Sequence, residues 1–364
     1  HLAPNGTMSI TYIFEDYYDE LNSTSHSNST YIPDPKTLSC EPEQLGPSAT
    51  VALCAILVVI FLLAIPGNII VGWVICANWR SMSPSDVYLV HLTVADTLLA
   101  LTLPFWAVAV IHGWIFGDFM CKFLNLTIEA NFYTSIIFLA CISIDRYLVI
   151  VHTAETHRDH KRMCSSFVCA SVWALGWALA LPALFNDAFK PNPDSNRIIC
   201  YERYDLGQAA LWRLVTRGFR HILGFLLPLV VMVTCYSIII TRLLRTRGFQ
   251  KHRAMQVIVA VVIAFLLCWT PHHLMLIVDT LMRFNVVPGN CAARKSVNTA
   301  LNITHSLALF HSCINPILYA FVGVKFRKNL RLLVQRKLRM QERMSGSRFS
   351  RSTSQTSDSN GALL

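Results

Sequence analysis

The sequence predicts an all-α membrane protein, a seven-transmembrane helix bundle with its N-terminus outside and a short amphipathic eighth helix. Three observations carry this expectation. Of 364 residues, 54% are hydrophobic and only 14% charged, where a soluble domain has about 25% charged. Seven apolar stretches are each long enough to cross a bilayer, which takes about 20 residues. The basic residues concentrate in alternate connections, the distribution that sets orientation in membranes.

The spans are expected at Val51 to Ala77, Asp86 to Ile111, Lys122 to Val151, Met163 to Phe185, Val215 to Leu243, Ala254 to Met282 and Lys295 to Val324. Arg80 follows the first. Arg158, Lys161 and Arg162 follow the third, and Arg242, Arg245, Arg247, Lys251 and Arg253 follow the fifth. Lys325 to Arg351 is densely basic, so all these segments face the cytoplasm. Before Val51 the acids Glu15, Asp16, Asp19, Glu20, Asp34, Glu41 and Glu43 oppose Lys36 alone, which puts this end outside. Nothing there has the apolar core of a signal peptide, and the first span is expected to serve as the insertion signal. The expected organisation is an acidic arm over residues 1–50, the bundle over 51–324, the amphipathic helix over 325–340 and a Ser/Thr-rich tail over 341–364. The net charge of +10 is therefore a cytoplasmic property, and nucleic-acid binding is not supported.

Several polar residues inside the spans are expensive and need a reason. Asp96 and Glu129 lie at membrane depth, and Asp145-Arg146-Tyr147 closes the third span. Ionisable groups survive there only facing protein or water. Asn315-Pro316 interrupts the seventh span, and Pro104, Pro182, Pro228 and Pro271 interrupt others. Each proline removes a backbone hydrogen bond; in membrane helices such kinks are tolerated and form hinges. Trp269 stands two residues before Pro271, so a ligand pressing on it can swing the inner half of the sixth span. The plain alternative is that Trp269 only fills the core.

Of 12 cysteines, Cys54, Cys76, Cys141, Cys169, Cys235, Cys268 and Cys313 fall inside spans, and Cys164 lies at the inner end of the fourth. Cys40, Cys121, Cys200 and Cys291 remain on the outer side, where disulfides persist. Four cysteines allow three pairings. In one of them, Cys121–Cys200 ties the third span to the second outer loop and Cys40–Cys291 ties the arm to the seventh span. The sequons at Asn5, Asn22 and Asn28 in the arm are expected to be glycosylated. Asn125 and Asn302 match the same pattern inside spans, where no glycan can be attached. Tyr17 and Tyr18, between Asp16 and Asp19, suit sulfation. The arm reads as a tethered, disordered line for a basic partner, against the plainer reading of a solvated acidic linker.

An ordered set of motifs then resembles one family across nearly the whole chain. It comprises Gly67-Asn68, Leu92-Thr93-Val94-Ala95-Asp96, Trp173, Pro228 with Tyr236, Cys268-Trp269-Thr270-Pro271, and Asn315 to Tyr319. The sequence resembles a rhodopsin-family G-protein-coupled receptor. Thr102-Leu103-Pro104, Trp106, the extra outer cysteine pair and Asp145 to His152 resemble the CXC chemokine receptors. Gln250 to Met255 and Asp279 to Arg283 resemble the neutrophil subgroup, whose ligands are of the ELR type.

The resemblance implies a plasma-membrane receptor, not an enzyme, whose partners are a CXC chemokine, an inhibitory heterotrimeric G protein, arrestin and receptor kinases, and membrane lipid. It places ligand contacts at Asp16, Tyr17, Tyr18, Asp19, Trp106, Glu129, Glu202, Arg213, Arg217, Arg220, Asp279, Arg283 and His305. It implies an activation switch of Trp269, Pro271, Asn315, Pro316, Tyr319 and Tyr236, with G-protein coupling through Asp145, Arg146 and Tyr147. No cofactor is implied beyond a sodium ion as modulator at Asp96, Asn131, Ser135 and Asn315, all oxygen donors of the hard-cation type; the alternative is a protonated structural Asp96. One departure stands out. Most relatives carry glutamate where this chain has His305, which removes an acidic anchor, and close relatives carry lysine at the position of Val110.

Other classes fit poorly. No nucleophile or metal constellation supports an enzyme, and no pseudo-repeat supports a transporter. A non-signalling scavenger receptor shares fold and ligand, but Asp145 to Tyr147 and Asn315 to Tyr319 argue for signalling.

Overall fold

The computed structural model describes residues 46–77, 79, 82–151, 158–191, 196–204, 209–244, 249–284, 286–288, 290–322 and 326–339. Its helices are α1 (Pro47–Cys76), α2 (Pro84–His112), α3 (Gly117–Val151), α4 (Arg158–Ala180), α5 (Ala209–His221), α6 (Leu227–Leu244), α7 (Phe249–Arg283), α8 (Cys291–Leu309) and α9 (His311–Val322). A tenth, α10, covers 326–339. A short hairpin, β1 (Asn186–Phe189) with β2 (Ile199–Glu202), lies on the outer side between the fourth and fifth spans.

Helices begin before the apolar runs do. Pro47 starts α1 four residues ahead of the expected boundary at Val51, because proline at the first turn forfeits no helical donor. Pro84 likewise opens α2, behind a capping box. The Ser83 amide donates to the Asp86 carboxylate at 2.9 Å and the Asp86 amide to Ser83 Oγ at 3.3 Å. Of the segment expected over 325–340, the described residues 326–339 are helical.

Three spans are not single α-helices. The fourth ends in a 3₁₀ turn at Leu181–Phe185, which holds Pro182 in its first turn. The fifth consists of α5, a π-turn at Ile222–Leu226, and α6, with the Leu227 amide donating to the Ile222 carbonyl. Pro228 has no amide to continue the ladder, and the widened turn absorbs that defect. Gly224 in this turn lies so close to Phe132 that a Cβ would come within 2.5 Å of the ring. The seventh span divides at Phe310 into α8 and α9. There His311, Ser312 and Cys313 each engage the carbonyl three residues back, on Ala308, Leu309 and Phe310. Side chains that take up backbone carbonyls in this way compete with the regular ladder. Among the described residues, six helical runs are long and apolar enough to cross a membrane, and α8 with α9 supplies the seventh span.

The core runs along α3, whose Phe132, Ile136, Phe138, Leu139 and Ile142 are all essentially inaccessible. Leucine and isoleucine cover the membrane side of α1, where Leu62, Leu63 and Ile69 are exposed. Asn68 joins the first and seventh spans, its amide donating to the Ser312 carbonyl at 2.8 Å and to Ala64 at 2.9 Å. Trp173 Nε1 donates to His91 Nδ1 at 3.1 Å, tying the fourth span to the second. On the inner side Phe326 of α10 packs on the core. Lys337 of α10 holds its ammonium 4.8 Å from the Trp73 ring centre of α1.

Candidate ligand-binding and signalling site

The outer mouth is built on the disulfide Cys121–Cys200, which joins the top of α3 to β2. Lys122 reinforces it by bridging Asp118, at 2.9 Å, to Asp187 of β1. The Asp118 carboxylate also accepts from the Ala188 amide. Asn125 points its amide at this disulfide, 3.1 Å from Cys200 Sγ, which accounts for its polarity inside a span. Cys291 is disulfide-bonded as well. Cys40 lies outside the described residues, as do Asn5, Asp16, Tyr17, Tyr18, Asp19, Asn22 and Asn28.

The charged rim expected from the sequence comes together, and it arrives already paired. Arg217, buried, donates to Asp279 Oδ2 at 2.7 Å and to Thr280 at 2.8 Å. Arg283 donates to the same carboxylate oxygen at 2.8 Å. Arg220 pairs with Glu129, and Arg213 lies 3.8 Å from Glu202. Buried charges are retained only when neutralised in this way. The mouth is a set of ion pairs rather than free charges of both signs. Any charged ligand must compete for them.

Beneath the rim the lining is aromatic and imidazole-rich. Trp106 packs on Trp114 at 5.1 Å between ring centres. His305 faces His272 at 5.2 Å, and His221 Nδ1 lies 2.8 Å from His273 Nδ1, joining the fifth and sixth spans. Neither His221 nor His273 was a candidate from the sequence; an isolated histidine in an apolar run carries no signal of its partner. Lower still, Trp269 is fully buried and touches Phe132 at 4.5 Å, Phe265 at 5.9 Å and His311 at 5.6 Å. Pro271 lies inside α7 two residues further outward.

The polar core follows directly below. Asn315 donates to Asp96 Oδ2 at 2.7 Å. The other carboxylate oxygen, Oδ1, lies 3.5 Å from His311 Nε2. Asn131 and Ser135 of α3 are buried with no hydrogen-bond partner on their side-chain oxygens, nor on the Asn131 amide nitrogen. Orphaned buried oxygens of this kind suit a hard cation, so the residues present fit the sodium reading. His311 is the component that sequence reasoning missed, although it stands four residues before Asn315 on the same helix face.

At the inner end Asp145 accepts from Ser85 and faces Arg146 at 3.6 Å. Arg146 also reaches Ser83 Oγ at 3.4 Å. Tyr147 packs half-buried against the core. Ser143 donates to the Tyr236 hydroxyl at 3.0 Å, holding that side chain between the third and fifth spans. Pro316 packs where Gly67 leaves room, since a Cβ at Gly67 would meet it at 2.8 Å. Tyr319 falls within α9, but its side chain lies outside the described ones.

Packed rings thus run without interruption from the mouth to the polar core by way of Trp269. Residues 67–319 match the family model of the seven-transmembrane receptors of the rhodopsin family. The chain is 44% identical to the C-X-C chemokine receptor type 2 of Oryctolagus cuniculus over 88% of each chain. To the type 1 receptor of the same species it is 46% identical over 82% of this chain and 84% of the relative. To the human type 1 receptor it is 44% identical over 85% and 86%. The chain belongs to the rhodopsin family of seven-transmembrane receptors and, within it, to the C-X-C chemokine receptors, and is a multi-pass plasma-membrane signalling receptor rather than an enzyme.

Proposed function

We propose that this receptor binds ELR-type CXC chemokines and activates an inhibitory heterotrimeric G protein to drive leukocyte chemotaxis. The paired rim of Arg213, Arg217, Arg220 and Arg283 with Glu202, Glu129 and Asp279, directly above Trp269, is the observation that carries it. A chemokine N-terminus bearing both an acid and a base exchanges with such pairs. The test is a panel of purified chemokines scored by nucleotide exchange on inhibitory G protein. Exchange driven by ELR-type members supports the reading; binding without exchange would identify a scavenger instead.

The acidic arm is proposed to capture the basic body of the chemokine first, with sulfate on Tyr17 and Tyr18 adding charge. Long-range attraction of this kind acts on association and is screened by salt. Replacing Glu15, Asp16, Asp19 and Glu20 by their amides is expected to lower the association rate about tenfold at low salt, with little change in dissociation. An unaltered on-rate in surface plasmon resonance would rule the role out.

At the inner face, α10 is proposed to lie on anionic lipid, and the tail to be a substrate for receptor kinases. Ser345, Ser347, Ser350, Ser352, Thr353, Ser354, Thr356, Ser357 and Ser359 would each gain about −1.5 to −2 charges on phosphorylation, making a polyanion for a basic arrestin surface. Truncation after Arg343 is expected to leave chemokine binding and G-protein activation intact while abolishing arrestin recruitment. Recruitment that persists in the truncated receptor would sink this role. Glycans are proposed on Asn5, Asn22 and Asn28. Sodium is proposed at Asp96, Asn131, Ser135 and Asn315, where the partnerless oxygens support it; the ion would supply charge neutralisation to Asp96 in the resting receptor.

A further inference from the structure

Arg220 occupies a place that the other rim arginines do not share. Its guanidinium pairs with Glu129 and at the same time lies 5.0 Å from the ring centre of Phe132 and 5.9 Å from that of Trp269. Those two rings are in contact at 4.5 Å. Arg217 and Arg283 instead share Asp279, and Arg213 lies against Glu202 and the Tyr204 ring.

We propose that Glu129–Arg220 is a charge latch on Trp269, opened by a carboxylate of the ligand. This rests on the reading above that an acidic peptide N-terminus enters the mouth. In the resting receptor Glu129 holds the guanidinium over Phe132 and Trp269, and the cation–π attraction keeps both rings in place. Arg220 Nε is buried without an acceptor, so the guanidinium has donor capacity that Glu129 leaves unused. An incoming carboxylate can take two parallel N–H donors at once, the strongest geometry open to arginine. The side chains are reachable from the mouth, with 15% of Arg220 and 21% of Glu129 exposed. Drawing the guanidinium outward takes it off the aromatic faces and frees Trp269 to move with the Pro271 hinge. Arg220 is thus a positioning residue for Trp269 and the determinant of preference for an acidic ligand. Gly224 completes the device, since it leaves the notch in which the Phe132 ring sits.

The test compares the unmodified receptor with Glu129→Gln, Arg220→Lys and the double variant Glu129→Gln/Arg220→Gln. The double variant retains hydrogen-bonding groups and leaves no buried charge unpaired, so it guards against simple misfolding. Ligand-free nucleotide exchange on inhibitory G protein is read first, normalised to surface receptor. Both Glu129→Gln and the double variant are expected to raise it about threefold, the factor that a cation–π contact of ordinary strength represents. Arg220→Lys should raise it too, since an ammonium keeps the charge but not the planar stacking. Potency is then compared for an ELR-type chemokine and its form with the glutamate of the Glu-Leu-Arg signature replaced by glutamine. The unmodified receptor should prefer the acidic form, and the double variant should not discriminate. Unchanged ligand-free exchange in all three variants overturns the latch, and so does undiminished discrimination in the double variant. A receptor that answers no chemokine at all would instead defeat the ligand reading, because the ligand-free measurement is independent of it.

Discussion

Replacing Cys121 and Cys200 together by serine is expected to remove the receptor from the cell surface almost completely and to abolish chemokine binding. The bond spans a sequence separation of 79 residues, and closing a loop of that length restricts the unfolded chain by about 4–5 kcal/mol. That is a large share of the stability of an ordinary domain. The hairpin it anchors also carries Glu202 and caps the mouth, and the Trp114 amide donates to the Ile198 carbonyl beside it at 2.7 Å. Lys122 with Asp118 and Asp187 cannot replace the bond, since these charges are partly exposed and such pairs contribute about 0–1 kcal/mol. Serine at Cys291 should act more mildly, weakening ligand binding while much of the receptor still reaches the surface. Antibody staining of an epitope-tagged receptor on intact cells separates the two. Normal staining and normal chemokine binding in the Cys121/Cys200 variant would refute the assignment.

Asp145→Asn is expected to raise ligand-independent nucleotide exchange about tenfold, whereas Arg146→Ala should abolish exchange with or without chemokine. Asp145 accepts from Ser85 on α2 and faces Arg146, so the carboxylate fixes the inner end of α3 against α2. An amide keeps the shape but loses the charge on a hydrogen bond worth about 1.5–3 kcal/mol, and about 1.4 kcal/mol is a factor of ten in an equilibrium. On the proposed coupling, in which the open state commits the guanidinium to the G protein, only the resting state is weakened. Baseline exchange in Asp145→Asn at normal surface density would show that this contact does not hold the receptor closed.

The sequence discloses the spans well and their pairings poorly, for one physical reason. Apolar runs report contact with lipid, which is local, so every expected span is found and the spans bracket the right residues. Polar first turns such as Pro47 to Thr50 belong to the helix but not to the hydrocarbon, which is why boundaries move outward. The rim charges were legible as residue types, yet their partners depend on the tilt and rotation of each span, set by packing rather than composition. That is why Arg217 meets Asp279 and Arg220 meets Glu129 without any sequence signature. His221, His273 and His311 were missed on the same ground. The break at Phe310 escaped because it arises from three consecutive side chains bonding backward, not from a proline or glycine at that position.

That break interrupts regularity and not hydrogen bonding. The Phe310 amide donates to the Ser306 carbonyl at 3.2 Å and the Ile314 amide to the Phe310 carbonyl at 3.3 Å, so α8 and α9 stay joined. The joined span begins at the disulfide-bonded Cys291. Just past the irregular turn, His311 faces both Trp269 and Asp96. One buried imidazole is therefore the common neighbour of the indole and the carboxylate, and a substitution there disturbs both at once.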